Sequence, residues 1–363
     1  MTEDATQFEK REELKRRLIP GNCKTLTTVI LDGTGDLIKK LTRNRKPEPL
    51  SPWYNAAVLA LVTWLIAFLA SVILGEFDAV RRDYILLEIS VGAIVFVVTV
   101  ASGMLVGMVF TTLRENLVDA IESVADLTDL ERWLSAVCDV KKQLFFGLAF
   151  SMFWNLYSII FFAIRGVPLF GLTISGIVVT FLTGVSAYVA LLFFSLSVRL
   201  GRYQLKLYAA DPTSSEVLGR LSDLLANLVY VAAIFTAIAT LVAVLFRQVA
   251  PSLIFLFLGG WGIITAWFIA NQYTLIQITT RAKRKKLSEI QARIEKLEAE
   301  KNIADQKTIE AINRLMDYHD RIKATRNSML DFRAVLSFLN SLLLPLIAFL
   351  LGNLDKILAL LKR

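Results

Sequence analysis

The sequence predicts an all-α, polytopic membrane protein with six or seven transmembrane helices and a cytoplasmic helical segment. Three observations point to this class. The chain of 363 residues is 55% hydrophobic, above the roughly 45–50% usual in a soluble domain, and its mean hydropathy is +0.56. Six charge-free runs each exceed the roughly 18 residues that cross a hydrocarbon core. None of these runs shows the alternation with period two that marks a β-barrel strand.

The distribution of lysine and arginine predicts the orientation of these helices. If the N-terminus is cytoplasmic, the outer links hold 4 basic residues and the inner segments hold 33. The positive-inside rule therefore favours a plasma-membrane or inner-membrane protein with a cytoplasmic N-terminus and almost all extramembrane mass on that side. Within a membrane domain at 49–280, the six helices are expected at about 53–75, 84–112, 144–164, 168–198, 226–246 and 251–278. The inner segments are 1–48, 114–142, 199–223 and 281–333.

Basic residues cluster beside the ends of the predicted helices. Such clusters set topology and attract anionic lipid head groups, at about 1 kcal/mol per residue near the surface. No DNA- or RNA-binding module pattern accompanies them, so anionic lipid is the expected partner and nucleic acid is not. The candidate head-group residues are Lys39, Lys40, Arg43, Arg45, Lys46, Lys283, Arg284, Lys285 and Lys286.

The chain offers little chemistry for catalysis or metal binding. Its single histidine, His319, has acidic neighbours in a charged helix and is interpreted as an exposed side chain. Cys23 and Cys138 are far apart in sequence and lie on the predicted cytoplasmic side, where thiols are normally reduced. We therefore expect no disulfide, no cofactor, no metal site and no enzyme activity.

Two glycines, Gly33 and Gly35, follow a short β-like run and invite comparison with a phosphate-binding loop. The third glycine and the Gly-Lys-Ser/Thr ending of such loops are missing, and Asp32 and Asp36 would repel a phosphate. We expect instead a turn in which Asp36 caps a short amphipathic helix.

Polar residues within the apolar runs are the candidates for a polar path. Glu88 is the one carboxylate clearly inside such a run, near its outer end. It either contributes to the outer mouth of an oligomeric pore, or it reaches the membrane interface or pairs with Arg81 or Arg82. The hydroxyl residues of the fourth predicted helix share one face, which either packs on a neighbouring helix or lines a polar path. The candidate path residues are Glu88, Thr173, Thr180, Thr183, Asn155 and Asn271.

Small residues at helical spacing predict close helix packing. Gly103 and Gly107 form a GxxxG pattern in the second predicted helix, and small or polar residues recur every three or four positions in 334–354. The candidate packing residues are Gly103, Gly107, Gly176, Ser341, Pro345 and Gly352.

The loop 113–142 carries an amphipathic apolar stripe and seven acidic residues against four basic ones. We interpret its acidic face as solvated. Two alternatives remain open, namely docking onto a basic segment of the same chain and attraction of cations to an inner pore mouth.

Residues 281–332 are expected to form a coiled-coil segment, because Leu287, Ile290 and Ile294 follow a/d spacing before Lys301 interrupts the seam. The segment is either an antiparallel hairpin that turns near 301–306 or one long helix that joins other subunits. The hairpin is favoured because it returns the chain to the membrane. There, 333–363 provide a hydrophobic segment long enough for a seventh helix, followed by an amphipathic tail.

The leading functional hypothesis is an oligomeric pore or channel-like protein with a cytoplasmic coiled coil that regulates or assembles it. The alternative is a non-conducting membrane scaffold or signalling subunit that binds a cytosolic protein. A secondary transporter ranks third, because no acidic residue or histidine lies near the middle of a predicted helix.

Overall fold

The computed structural model describes residues 3–19, 21–41, 51–79, 85–164, 170–208, 211–245, 250–300 and 306–325. These ranges are mainly helical and contain no strand, and one isolated bridge pairs Ile121 with Leu205. The all-α prediction is therefore confirmed for them. The helices are α1 (Glu3–Arg17), α2 (Leu26–Leu41), α3 (Pro52–Ile73), α4 (Phe77–Ala79), α5 (Ile85–Thr112), α6 (Val118–Ala120), α7 (Val124–Val137), α8 (Val140–Ile164), α9 (Phe170–Leu200), α10 (Glu216–Leu245), α11 (Ala250–Glu300) and α12 (Gln306–Ala324).

Four stretches of helix are long and apolar enough to cross a membrane. They are Pro52–Ile73, Ser90–Ala120, Gly176–Leu200 and Glu216–Ile238. Large apolar side chains such as Leu65, Leu191 and Ile234 are exposed on them, as on a helix that faces lipid rather than water. The membrane class is thus supported. The described ranges supply four such helices, whereas the sequence predicts six or seven, and the segment 334–354 lies outside these ranges.

Two glycines bring α8 and α9 into close antiparallel contact. A Cβ atom at Gly184 would lie 2.7 Å from the Cβ of Phe150 and 3.1 Å from the Cα of Gly147. A Cβ at Gly147 would lie 2.7 Å from the Cγ2 of Val185. Small residues let helix backbones approach in lipid, where dispersion and hydrogen bonds drive association. Glycine at these two positions therefore permits the contact.

The helix α2 runs without interruption through Gly33 and Gly35, so the turn expected at Asp36 is wrong. Gly35 instead faces α3, where the Nδ2 atom of Asn55 lies 2.7 Å from the position of a Cβ. The second glycine is explained by close contact between two helices and not by reversal of the chain.

Cys23 and Cys138 form a disulfide, contrary to expectation. Their Cα atoms are 5.4 Å apart although 115 positions separate them in sequence. The start of α2 is held at the junction of α7 and α8, where the Leu26 amide donates to Gln143 Oε1 at 2.6 Å. The sequence argument failed because it rested on the cellular compartment and could not foresee this proximity.

The C-terminal described helices pack in opposite directions. α11 continues for 51 residues to Glu300, and α12 returns beside it, with Ile290, Ile294 and Ile322 buried between them. Lys283 on α11 contacts Lys323 and Thr325 at the end of α12, which fixes the antiparallel direction. We name residues 281–300 and 306–325 together the hairpin; 301–305 lie outside the described ranges.

Candidate functional site

Ion pairs and hydrogen bonds join α1, residues 113–137, the loop 201–208 and the base of the hairpin. We name this region the platform. Its interior is apolar, with Leu117, Leu127, Leu130 and Trp133 nearly inaccessible to solvent. Trp133 also donates its indole N–H to the carbonyl of Leu192 at 2.8 Å, which joins α7 to α9. At the N-terminus of α7, the Ser123 hydroxyl accepts from the Ala125 amide at 3.2 Å, as a helix cap does.

Basic residues of α1 dock onto the acidic segment. Lys15 Nζ lies 2.7 Å from Asp119 Oδ1, and Arg17 pairs with Glu131 at 3.3 Å. Lys10 donates to the Thr128 hydroxyl at 2.6 Å and pairs with Glu131. The hydrogen bond with Asp119 raises the pKa of Lys15. Docking onto a basic segment of the same chain, one of the two alternatives to a solvated face, is therefore what the geometry shows.

Backbone carbonyls exposed at the end of α6 also hold α1. Gln7 donates to the carbonyl of Glu122 at 2.6 Å, and Arg11 donates to the carbonyl of Ile121. These acceptors are free because the chain leaves the helix at Ile121, where its backbone is extended. A five-residue π-helical turn, Leu113–Leu117, directly precedes α6. Such turns are rare and tend to occur at functional sites.

The loop 201–208 is fixed to the other side of α7. Arg199 pairs with Asp129 at 2.6 Å, and the Tyr203 hydroxyl donates to the second oxygen of that carboxylate at 3.0 Å. Burial, together with the charge of Asp129, raises the pKa of Tyr203, so this phenol remains a donor. The Gln204 amide donates to Asp126 at 2.8 Å. Backbone bonds between 120–122 and 204–206 complete the contact.

Three basic residues attach the hairpin to the platform and to itself. Lys285 Nζ lies 2.6 Å from Glu122 Oε2, a contact that raises the pKa of Lys285. Arg281 donates to the carbonyl of Gly201. Lys283, only 6% exposed, donates to the carbonyls of Lys323 and Thr325 at 2.8 and 2.7 Å. An ammonium at a helix C-terminus satisfies carbonyls that have no partner within the helix.

These contacts bear on the predicted head-group residues. Lys283 and Lys285 contact protein groups, and Lys286 pairs with Glu289 at 2.9 Å. Lys40 and Arg284 are exposed and Lys39 is half-buried, whereas Arg43, Arg45 and Lys46 lie outside the described ranges. Lipid binding by this group stays a prediction, and Lys283 in particular has a structural role that the sequence did not reveal.

The candidate polar-path residues do not line one path in the described part of the chain. Asn155 donates to Thr180 Oγ1 at 2.8 Å and to the Ser151 carbonyl at 2.7 Å, and the Ser151 and Thr180 hydroxyls are 2.9 Å apart. This buried cluster joins α8 to α9. Ser151 was not singled out from the sequence, although it precedes Asn155 by one helical turn.

The remaining path candidates are dispersed. Asn271 donates to the Leu225 carbonyl at 3.1 Å between α10 and α11. Thr183 borders a cavity between α9 and the neighbouring helices and donates to the carbonyl of Val179 at 2.8 Å. The side chains of Glu88 and Thr173 are outside the described part of the structure.

The packing candidates have different environments. Gly176 lies against Asn155, whose Oδ1 is 3.2 Å from the position of a Cβ. A Cβ at Gly103 or Gly107 would meet no described atom within 4 Å. Ser341, Pro345 and Gly352 lie outside the described ranges. The tight contacts at Gly147 and Gly184 were missed, because neither belongs to a GxxxG pattern.

The described side chains include no group of three or more His, Cys, Asp or Glu residues able to hold a metal ion. His319 lies 3.2 Å from Asp320 on α12. Comparison of the chain with protein-family models, with curated proteins and with solved structures finds no match.

Proposed function

We propose that the protein is a non-conducting membrane scaffold, in which six or seven transmembrane helices anchor the platform, and the platform presents the hairpin to a cytosolic protein. The observation that carries this proposal is the set of contacts that fixes the base of the hairpin. Lys285, Arg281 and Lys283 each hold it through a charge-assisted hydrogen bond, and such bonds are stronger than neutral ones. The charge asymmetry of the sequence supports a cytoplasmic position for the platform.

Exposed apolar side chains on the outer face of the hairpin support the proposal of a protein partner. Ile309 is 44% exposed and Met316 is 52% exposed. They are seven residues apart and therefore share one face of α12, away from the buried Thr308 and Ile322. Apolar residues at such spacing are the usual anchors of helix-mediated recognition, and methionine adapts well to a protein surface.

An oligomeric pore is the second candidate function. Its support is a cavity between α5, α9, α10 and α11, which Thr183 helps to line. The scaffold is preferred because candidate polar-path residues form hydrogen bonds between helices. Asn155 donates to Thr180, and Asn271 donates to the carbonyl of Leu225.

Site-specific photo-cross-linking in cells tests the scaffold. A photoactivatable residue at Ile309 or Met316 is expected to yield the same adduct with one soluble protein. Gln291, an exposed position on α11, provides the matched control and is expected to give no such adduct. Adducts formed only with a second copy of this chain, or no adduct at either position, would contradict the proposal.

A further inference from the structure

Four helices enclose an apolar cavity within the membrane domain. α5 contacts α9 and α10, and α11 contacts the same two helices, so the four close a ring. The cavity at the centre of this ring has a volume of about 330 Å³. That is large enough for a ligand, since an apolar cavity of about 150 Å³ already binds benzene.

The lining of the cavity runs along the helices. On α9 its lining extends from Thr183 to Phe193, about 15 Å at 1.5 Å per residue. On α11 it extends from Gly260 to Trp267, about 10 Å. Its long axis is therefore parallel to the direction of lipid chains around a transmembrane helix.

The walls are mainly apolar, and the hydroxyls among the described lining residues are those of Ser102, Thr183, Ser186 and Thr236. Among the described lining residues none is charged. Thr183 and Thr236 donate their hydroxyls to carbonyls of their own helices at 2.8 and 3.0 Å. Ser186 Oγ is buried without a hydrogen-bond partner in the described part of the protein. Walls of this kind favour an apolar occupant over an ion.

One end is closed and one side is open. Phe193 and Leu228 are each 1% exposed, and the Thr274 hydroxyl donates to the carbonyl of Ser197 at 3.0 Å, which joins α9 to α11 just beyond them. Ile263 also lines the cavity, yet it is 67% exposed. An apolar molecule in the bilayer can therefore enter beside Ile263 without crossing water.

We propose that this cavity binds one acyl chain of a membrane phospholipid, inserted sideways past Ile263. The occupant is hydrocarbon because the walls are mainly apolar. It is chain-like because the lining extends about 15 Å along α9 and the space is closed at the end beside Phe193 and Leu228. The proposal does not depend on whether the protein is a scaffold or a pore. Ala187 on α9 and Ala232 on α10 line the space, so larger side chains at these positions would fill it.

The test uses the full chain in nanodiscs of phosphatidylcholine that carries a diazirine in the middle of one acyl chain. After irradiation, labelling of the α10 peptide around Val231 and Ala232 is measured by mass spectrometry. Ala187→Phe is expected to reduce this labelling at least fivefold. Leu191→Phe is the matched control, because Leu191 is 57% exposed on the same helix, and it is expected to leave the labelling unchanged. Equal labelling in the wild type and Ala187→Phe would overturn the proposal.

Two further variants separate hydrocarbon from other occupants. Ser186→Ala removes the hydroxyl of the cavity wall that has no partner among the described residues, and it is expected to leave labelling equal or stronger. Weaker labelling would mean that the occupant presents a polar group, against the proposal. Removal of 334–363 is expected to change nothing. If labelling appeared only after this removal, the C-terminal segment would be the natural occupant, and the acyl-chain proposal would be wrong. Thermal unfolding of each variant shows that loss of labelling is not loss of fold.

Discussion

Several polar side chains in the apolar helices of this protein join neighbouring helices. Asn155, Ser151 and Thr180 form a cluster in which each hydroxyl or amide has a partner. A hydrogen bond of this kind within a membrane contributes about 0.6–2 kcal/mol. The same residue types were offered from the sequence as a polar path. Residue type and spacing place them on one face, but only the neighbouring helix decides whether that face is lined with water or packed.

Glycine substitutions provide the first prediction at this scale. Gly184→Ala is expected to destabilise the protein by about 1–3 kcal/mol, as overpacking does, because the new Cβ would lie 2.7 Å from Phe150 Cβ. Gly103→Ala is the matched control, since no described atom lies within 4 Å of its Cβ position, and alanine favours a helix over glycine. Thermal or denaturant unfolding in detergent measures both. A loss of stability in Gly103→Ala but not in Gly184→Ala would contradict the packing described here.

The second residue-scale prediction concerns the disulfide. Reduction of Cys23–Cys138 releases a link between positions 115 apart, for which the loop-entropy relation gives about 4–5 kcal/mol. Reductant is therefore expected to lower the melting temperature of the wild type. It should have no effect on the double variant Cys23→Ser/Cys138→Ser, which should melt like the reduced wild type. If the reductant leaves the wild-type transition unchanged, the two cysteines are not bonded in the folded protein.

Among the helices, the hairpin is held by an apolar core and by basic residues at its base. Its core contains Ile290, Ile294 and Ile322, and its base is held by Lys283 and Lys285. The buried Lys283 ammonium satisfies two carbonyls at the end of α12. A carbonyl left buried without a partner costs about 1–3 kcal/mol, so this one side chain has a large share in holding the last turn of α12.

Lys283→Met provides the corresponding prediction. It keeps the apolar stem and removes the donor, and it is expected to speed hydrogen exchange in the last turn of α12 by roughly tenfold or more. Lys286→Met is the control, because its pair with Glu289 is solvent-exposed and such pairs contribute little. Equal exchange in the two variants would show that the ammonium does not secure α12.

The sequence predicted helices better than it predicted their contacts. Long apolar runs predicted α3, α5, α9 and α10, because an apolar run of this length without a polar face is typical of a transmembrane helix. The glycines and aspartates at 32–36 were interpreted as a turn, which is wrong. A glycine that faces Asn55 across a helix contact cannot be told by sequence from a glycine in a turn. The pairing of α1 with the acidic segment appeared only as an alternative, because opposite charges far apart in a chain do not reveal which of them meet.

At the scale of the whole molecule, ion pairs and backbone hydrogen bonds of the described residues join several parts of the chain at one end of the helices. α1, α7, the loop 201–208 and the base of the hairpin interlock there through ion pairs and backbone bonds. The central cavity is apolar and closed at one end by Phe193 and Leu228. Both observations favour a protein that holds and presents the hairpin over one that conducts ions.

Ion flux in liposomes is the measurement that tests this central claim most directly. Purified full-length protein is reconstituted and compared with empty liposomes and with a known channel across voltage and pH. The scaffold predicts that flux equals that of empty liposomes for the wild type, for Glu88→Gln and for Thr183→Val. A conductance in the wild type that Glu88→Gln or Thr183→Val alters would contradict the scaffold and establish the pore.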